Sequence, residues 1–462
     1  MDSAAQTEAW FFAHLIEPCC EIGDPGDLRR LHREWPERYP FLLQSTASDG
    51  KLGRFDILFA FPGDTLELTA NGQLHGSAAD GADTFLGALD RWWLAERQPG
   101  IDSELPFLGG WFVYLGYELA AEIEAGLHLK SDTALPAAFA VRCATALVFD
   151  HQRDTCFLVS EQAPCAHSAA INRDLRSLQE IVTTTTTTIR SVQEDLPGQF
   201  LRAVECAKEH IAAGDIYQAN LSRNWSVELG DDTAASDIYA ALCQVNPGPF
   251  AGIARWQDVA IISSSPERLL SIRHGIASTR PIAGTRPRSE DGDTDSALSA
   301  ELLAHPKEVA EHVMLIDLER NDLGRICEAG TVAVDEMMVL ESYAHVHHIV
   351  SNVTGRLRSD VTPGGAIAAV FPGGTITGCP KVRCMEIISE LEGTARGAYT
   401  GSFGYLNRDG SLDLNILIRT MIKRGSKLDF RAGSGIVADS DADAELHETR
   451  AKAKGMLRAL AR

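Results

Sequence analysis

Residues 278–288 read S-T-R-P-I-A-G-T-R-P-R. Three arginines and two prolines surround a small uncharged centre, Ile282-Ala283-Gly284-Thr285. Two readings compete: a stiff basic turn, or the floor of a site for an anionic substrate. The rest of the chain decides between them, and with them the fold.

The chain of 462 residues carries 42 basic and 64 acidic side chains, for a net charge of −22. That balance excludes nucleic acid or an anionic membrane as the main partner. An acidic protein that takes an anion must gather its positive groups locally. The first ten residues, MDSAAQTEAW, lack the basic start and apolar run of a signal peptide, and no apolar run reaches membrane-spanning length. A cytoplasmic protein is expected. Ten scattered cysteines without a C-x-x-C pair suit reduced thiols better than a disulfide framework or a zinc site.

A hexathreonine run at 183–188 lies in polar sequence, so we divide the chain into an N-terminal part (1–160), a linker (161–195) and a main domain (196–462). Segments 52–61 and 144–150 have strand character, and 85–98 reads as an amphipathic helix. Further on, strands at 259–265 and 331–340 alternate with helices at 198–214 and 381–393. The mixture is α plus β, with enough β-branched runs for large sheets.

Paired acids are the first chemical signal. Glu308 and Glu311 lie three apart in HPKEVAEHVMLIDLERND, as do Glu445 and Glu448 in DADAELHETRAKAKGMLRAL. Residues at i and i+3 share a helix face, so each pair offers oxygens to one point, as a hard divalent cation needs. A solvated face has the same spacing. In FPGGTITGCPK (371–381) glycines and threonines, Thr375 among them, precede a helix opened by proline, and Gly433 and Gly435 follow a strand. Either element is a tight turn or an anion cradle.

Single groups complete the set. Glu267 follows a proline at the end of an apolar strand, where a carboxyl is half buried and its pKa raised. Arg419 falls in LDLNILIRTMI, read as an otherwise apolar strand. His348 points inward in an alternating strand, as catalytic or structural histidines both do, and Lys452 shares a helix face with Glu448.

The order of these motifs is specific where each alone is weak. PIAGTRPR (281–288), EHVMLIDLERNDLGR (311–325), HHIVSNVTG (347–355), GGTITGCPKVRCMEIISELE (373–392), YTGSFGYL (399–406) and GSGIVADS with ELHET (433–449) resemble the chorismate-utilising enzymes over at least residues 200–462. The resemblance implies an α+β, four-layer α/β/β/α sandwich of two large antiparallel sheets. It implies Mg²⁺ on Glu311 and Glu448, with Glu308 and Glu445 beside them and Gly433, Ser434, Gly435 and Lys452 around the metal-held ring carboxylate of chorismate. Tyr399 and Arg419 correspond to the clamp on the enolpyruvyl carboxylate. Glu267 corresponds to the acid that protonates the leaving C4 hydroxyl, His348 lies beside the ring, and Gly284, Thr285 and Thr375 belong to the substrate pocket.

Within the family, members that add water carry a lysine base where this chain has Gln218, so ammonia is the expected nucleophile. No glutaminase signature is present, and ammonia is expected from a separate glutamine amidotransferase subunit. The motifs YQANLSR, SSSPERLL and PGGTITG resemble the aminodeoxychorismate synthase branch, component I, more than the anthranilate synthase branch. Ser45, Arg54 and Phe55 with Pro249, Phe250 and Ala251 resemble the tryptophan pocket of some component I chains; a packed junction uses the same residue types. The departure is Ala283, which stands where aminodeoxychorismate synthases carry a lysine nucleophile and anthranilate enzymes carry alanine.

Overall fold

A computed structural model describes residues 14–19, 22–46, 53–131, 135–178, 187–289, 291–342 and 346–461. Among them, twelve strands form one sheet and eleven a second, all neighbours antiparallel. From the middle outward, the first sheet places Phe41–Gln44, Phe250–Trp256, Val259–Ser265, Thr420–Arg424, Lys427–Ile436 and Gln218–Leu229 side by side. The second runs Ile282–Pro287, Val346–Arg356, Ile276–Arg280, Arg268–Arg273, Leu412–Asn415, Ser402–Asn407 and Gly110–Leu115 in that order. Strands from both sequence halves share both sheets: Phe41–Gln44 pairs Phe250–Trp256, and Gly110–Leu115 pairs Ser402–Asn407.

Alternation explains the layers. Phe41, Ile57, Phe59, Phe112, Ile261 and Phe403 point into one shared core between the sheets, with the Phe41 and Phe112 rings stacked at 4.0 Å. Their neighbours point outward. Trp111, Val113 and Leu270 pack beneath helices Phe85–Glu96, Pro306–Gly324 and Pro363–Val370. Leu42, Leu58 and Ile262 pack on the opposite flank with side chains of helices Gly26–Glu34, Ala235–Val245 and Ala442–Leu460. Central strands such as Val259–Ser265 are buried on both faces because each sheet is covered twice, whereas strands such as Ala333–Ser342 are not. The result is the expected α+β sandwich of helices, sheet, sheet and helices.

The 161–195 stretch carries a helix, Ser168–Leu178, and an edge strand, Ile189–Glu194, paired to Gln218–Leu229. Residues 183–186 of the threonine run lie outside the described residues. The described cysteines carry no disulfide, and no described helix is long and apolar enough to cross a membrane.

Candidate active site

The site lies where the chain crosses twice between the sheets. Val259–Ser265 belongs to the first sheet and Arg268–Arg273 to the second, so Glu267 stands on a crossover. Leu412–Asn415 belongs to the second sheet and Thr420–Arg424 to the first, and Arg419 stands on the return crossover. Arg419 is therefore not inside a continuous strand, as its apolar surroundings implied. The ladder breaks after Asn415, and Arg419 takes a positive φ of 51°. The two crossovers are tied together. The Ile416 amide donates to the Glu267 carbonyl at 2.9 Å, the Ser264 amide to the Arg419 carbonyl at 3.2 Å, and the Ser265 hydroxyl to the Ile416 carbonyl.

Glu267 is buried, and burial pushes its carboxyl up to about 8, with nearby Glu319 adding to the shift. Nearby Thr375, the Ile282 amide, which donates to Glu267 Oε1 at 3.3 Å, and the Arg419 charge pull the other way. At neutral pH it is a protonated acid beside a guanidinium. His348 is buried on Val346–Arg356 and held neutral: burial first, then the Arg419 charge, push it down to about 3. Gly284 contacts His348 through its backbone, and Lys452 adds to the depression. Thus Arg419 acts on both Glu267 and His348.

The 278–288 stretch leaves strand Ile276–Arg280 at Pro281 and forms the edge strand Ile282–Pro287, paired to Val346–Arg356 with Thr285 opposite His348. A bulge falls at Gly284, whose φ is +64°, and a Cβ there would come within 2.9 Å of Glu308. The side chain of Thr285 lies outside the described residues. Ala283 pairs with Ile349 and is half-buried. The three arginines pair with acids: Arg280 with Glu336 and Glu341, Arg286 with Glu301 and Glu308, Arg288 with Asp295. Arg280 and Arg286 therefore lie on strands rather than in a basic turn, and acids match the charge of all three.

On the first sheet, Lys427–Ile436 pairs with Gln218–Leu229, Gly435 facing Asn220 and Gly433 facing Ser222. Both glycines make room. A Cβ on Gly433 would meet the Tyr399 hydroxyl at 2.7 Å and Asn220 Oδ1 at 2.8 Å, and one on Gly435 would meet Gln218 Nε2 at 2.6 Å. Gln218, Asn220 and Tyr399 thus converge on one face. Ser434 is buried opposite Leu221, whose face packs on helices Pro197–Ala212 and Lys381–Glu392, so only its backbone is offered to the glycine face. Lys452 donates to the Gly433 carbonyl at 2.9 Å and pairs with Glu448 at 2.7 Å.

Sequence reasoning missed two residues here. Asn220 lies two positions beyond Gln218 and shares its side of the strand, a period-two signal available from sequence. Arg396 is buried, donates to the Asn220 carbonyl at 2.6 Å and to Glu392 at 2.7 Å, and lies 5.6 Å from the Tyr399 ring. Its signal is local: Arg396 lies four residues after Glu392 and three before Tyr399, whose amide donates to the Arg396 carbonyl at 3.1 Å.

The four acids divide between helices Pro306–Gly324 and Ala442–Leu460. Glu308 bonds Arg286 at 3.2 Å, Glu448 bonds Lys452, and Glu445 is buried and accepts from the Ser440 hydroxyl at 2.7 Å. Glu311 is half-buried. Among the described residues no three of these or other His, Cys, Asp and Glu side chains are gathered as a metal site. The donor chemistry, carboxylate oxygen alone, nevertheless fits a hard divalent cation.

A second cavity, of about 460 Å³, lies at the Phe250 end of strand Phe250–Trp256, and Ser45, Arg54, Phe55, Pro249, Phe250 and Ala251 all line it. The Ser45 hydroxyl is buried with no hydrogen-bond partner among the described residues. Arg54 bonds Asp150 at 2.8 Å and Glu104 at 2.7 Å. Phe250 pairs with Ser265, two residues from Glu267, and its carbonyl accepts from Asn415 at 3.1 Å.

A family model described as chorismate binding enzyme matches residues 41–458. An anthranilate synthase component I-like protein of Synechocystis is 42% identical over 365 residues, 78% of this chain and 74% of that protein. Aminodeoxychorismate synthase component 1 of Bacillus subtilis is 40% identical over 381 residues, 80% of each chain. The crystal structure of anthranilate synthase component I from Streptococcus pneumoniae matches with a TM-score of 0.76 at 34% identity, over 88% of this chain and 93% of that one.

Proposed function

The chain belongs to the chorismate-binding enzymes, and from that premise we propose that it is component I of an aminodeoxychorismate synthase. Chorismate and ammonia would give 4-amino-4-deoxychorismate and water, with ammonia supplied by a separate glutamine amidotransferase. The observation that carries the reading is the buried, protonated Glu267 beside Arg419. Loss of the C4 hydroxyl requires a proton, and a carboxyl pushed up to about 8 holds one at neutral pH.

Each remaining residue has a stated task. Arg419 and Tyr399 hold the enolpyruvyl carboxylate, and the amides of Gly433, Ser434 and Gly435, with Lys452, face the ring carboxylate. Gly284, Thr285 and Thr375 line the ring, and neutral His348 packs beside it. Gln218, which cannot take a proton from water as a lysine base does, leaves ammonia as the nucleophile. Glu311 and Glu448 would hold Mg²⁺, with Glu308 and Glu445 beside them. The bound cation would neutralise carboxylate charge on the dianionic substrate.

Ala283 favours a second reading, anthranilate synthase component I, in which pyruvate is also eliminated. Alanine cannot form a covalent adduct at C2, so in the first reading a small nucleophile other than the protein serves there. The experiment supplies chorismate, Mg²⁺ and ammonium and follows the product. A compound that aminodeoxychorismate lyase converts to 4-aminobenzoate supports the first reading; anthranilate fluorescence replaces it with the second. Bound chorismate without turnover would indicate an inactive homologue.

The 460 Å³ cavity fits a regulatory role within the same proposal. Its polar rim and aromatic wall suit tryptophan, and Phe250 connects it to the Glu267 crossover through Ser265.

A further inference from the structure

We propose that Arg396 is a positioning residue for the substrate clamp, its guanidinium fixing Tyr399 together with the strand and the glycine turn that face the same substrate. The proposal rests on the reading of Tyr399 as a group that holds a substrate carboxylate.

Arg396 lies four residues past Glu392, the last residue of helix Lys381–Glu392, and its side chain is 1% exposed. A guanidinium carries five N–H donors in a rigid plane, and here each one meets an acceptor. Nε and Nη2 hold the two oxygens of Glu392 at 3.1 and 2.7 Å. Nη2 also donates to the Asn220 carbonyl at 2.6 Å, and Nη1 donates to the Ile376 carbonyl at 3.2 Å and the Thr400 hydroxyl at 3.3 Å. No N–H is left over for a ligand, so Arg396 acts on the site through what it holds.

Those last three acceptors belong to three separate segments of the site. Asn220 shares the Gly433 face with the Tyr399 hydroxyl, Ile376 follows Thr375 in the glycine turn, and Thr400 follows Tyr399. The guanidinium also lies 4.9 Å from the Tyr117 ring and 5.6 Å from the Tyr399 ring. Thr400 is β-branched yet has a φ of 63°, a conformation that persists only where its neighbours impose it. Arg396 holds its hydroxyl, and its amide donates to the Leu417 carbonyl at 2.8 Å, two residues before Arg419. Both sides of the clamp are therefore tied to this one turn.

Glu392 makes the buried charge tolerable and fixes it in place. Its carboxylate accepts from the Ser222 amide at 2.8 Å, two residues beyond Asn220, and from Arg431 at 3.0 Å. Glu118 accepts from the Arg396 and Gly397 amides at 2.8 and 3.1 Å, which holds the start of the turn.

Arg396→Lys keeps the charge, but a flexible ammonium with three donors cannot span these acceptors. The expected result is a chorismate KM raised on the order of tenfold, with a smaller fall in kcat. A residue that only supports folding would lower the melting temperature and the active fraction and leave KM alone. In a Tyr399→Phe background, Arg396→Lys should add little further to KM, because its effect runs through Tyr399. Thr400→Val, which removes the hydroxyl that Arg396 holds, should also raise KM and serves if Arg396→Lys does not fold; Thr400→Ser should restore it. With 3-fluorotyrosine incorporated, the fluorine resonance of Tyr399, identified by its loss in Tyr399→Phe, should shift in Arg396→Lys and in Thr400→Val before substrate is added. That measurement needs no turnover, so it stands whichever product forms. A wild-type KM in Tyr399→Phe would refute the clamp reading, and the resonance would still decide whether Arg396 sets Tyr399. An unmoved resonance in both variants overturns the proposal, as do fully additive KM effects of Arg396→Lys and Tyr399→Phe.

Discussion

Glu267 and Arg419 stand on two neighbouring crossovers between the sheets, joined by main-chain hydrogen bonds from Ile416 to Glu267 and from Ser264 to Arg419. The acid and the cation are therefore fixed to one another by backbone rather than by side-chain packing. In the proposed reaction, a proton donor and an anion clamp held this way would keep their spacing when substrate enters.

Replacing Glu267 by glutamine should abolish turnover and leave chorismate affinity nearly unchanged. In the wild type, activity should fall as pH rises through about 8, where the acid ionises. The same group acts on stability. Its pKa is raised on folding, so its contribution is complete below the ordinary value of 4.5 and is lost as pH rises to about 8. Denaturant midpoints across that window should fall less steeply in Glu267→Gln. Near wild-type turnover in this variant would sink the acid assignment.

Arg419→Ala should raise KM for chorismate by roughly a hundredfold, the scale of losing a charge-assisted pair. Arg419→Lys should recover part of this, because lysine lacks the paired donors of a guanidinium. Steady-state kinetics on the two variants decide it. An unchanged KM in both removes Arg419 from the clamp.

The two substitutions bear on what sequence could show. Strand Val259–Ser265 follows from a short β-branched run buried on both faces, and helix Phe85–Glu96 from its amphipathic repeat. The 412–424 segment misled because apolar residues continue through a point where the chain leaves one sheet for the other. Both sheets are buried on both faces, so hydropathy does not mark the change. Motif order singled out Glu267, His348, Gly433 and Lys452 as candidates. It passed over Arg396, three residues before Tyr399, because the burial that pairs this arginine with Glu392 shows only in the folded chain.

Gly433→Ala should be a clean test of the glycine face. Its Cβ would fall 2.7 Å from the Tyr399 hydroxyl and 2.6 Å from the Leu221 carbonyl, neither able to withdraw freely. We expect destabilisation of about 1–3 kcal/mol and loss of chorismate binding. An alanine variant with native melting temperature and affinity would mean that Tyr399 and Gly433 do not share the substrate.

Glu448→Gln and Glu311→Gln should each weaken Mg²⁺ binding, read by calorimetry with the metal alone, by on the order of tenfold to a hundredfold. Lys452 now occupies Glu448 at 2.7 Å, so a bound cation must compete with it. Lys452→Met should therefore tighten Mg²⁺ while weakening chorismate. Glutamine variants with wild-type metal affinity would move the cation elsewhere.

Tryptophan should raise the melting temperature by binding the 460 Å³ cavity, since a ligand of the folded state alone stabilises it by mass action. The Phe250→Ala variant separates this from nonspecific effects. Phe250 lines the cavity, so loss of its ring should cancel the shift and with it any effect of tryptophan on turnover, while the main-chain pairing with Ser265 stays in place. If the wild type shows no shift, the cavity takes another ligand. If the shift survives in Phe250→Ala, tryptophan binds outside it. A shift without any change in turnover would mean that the Phe250–Ser265 pairing does not carry a signal to the acid.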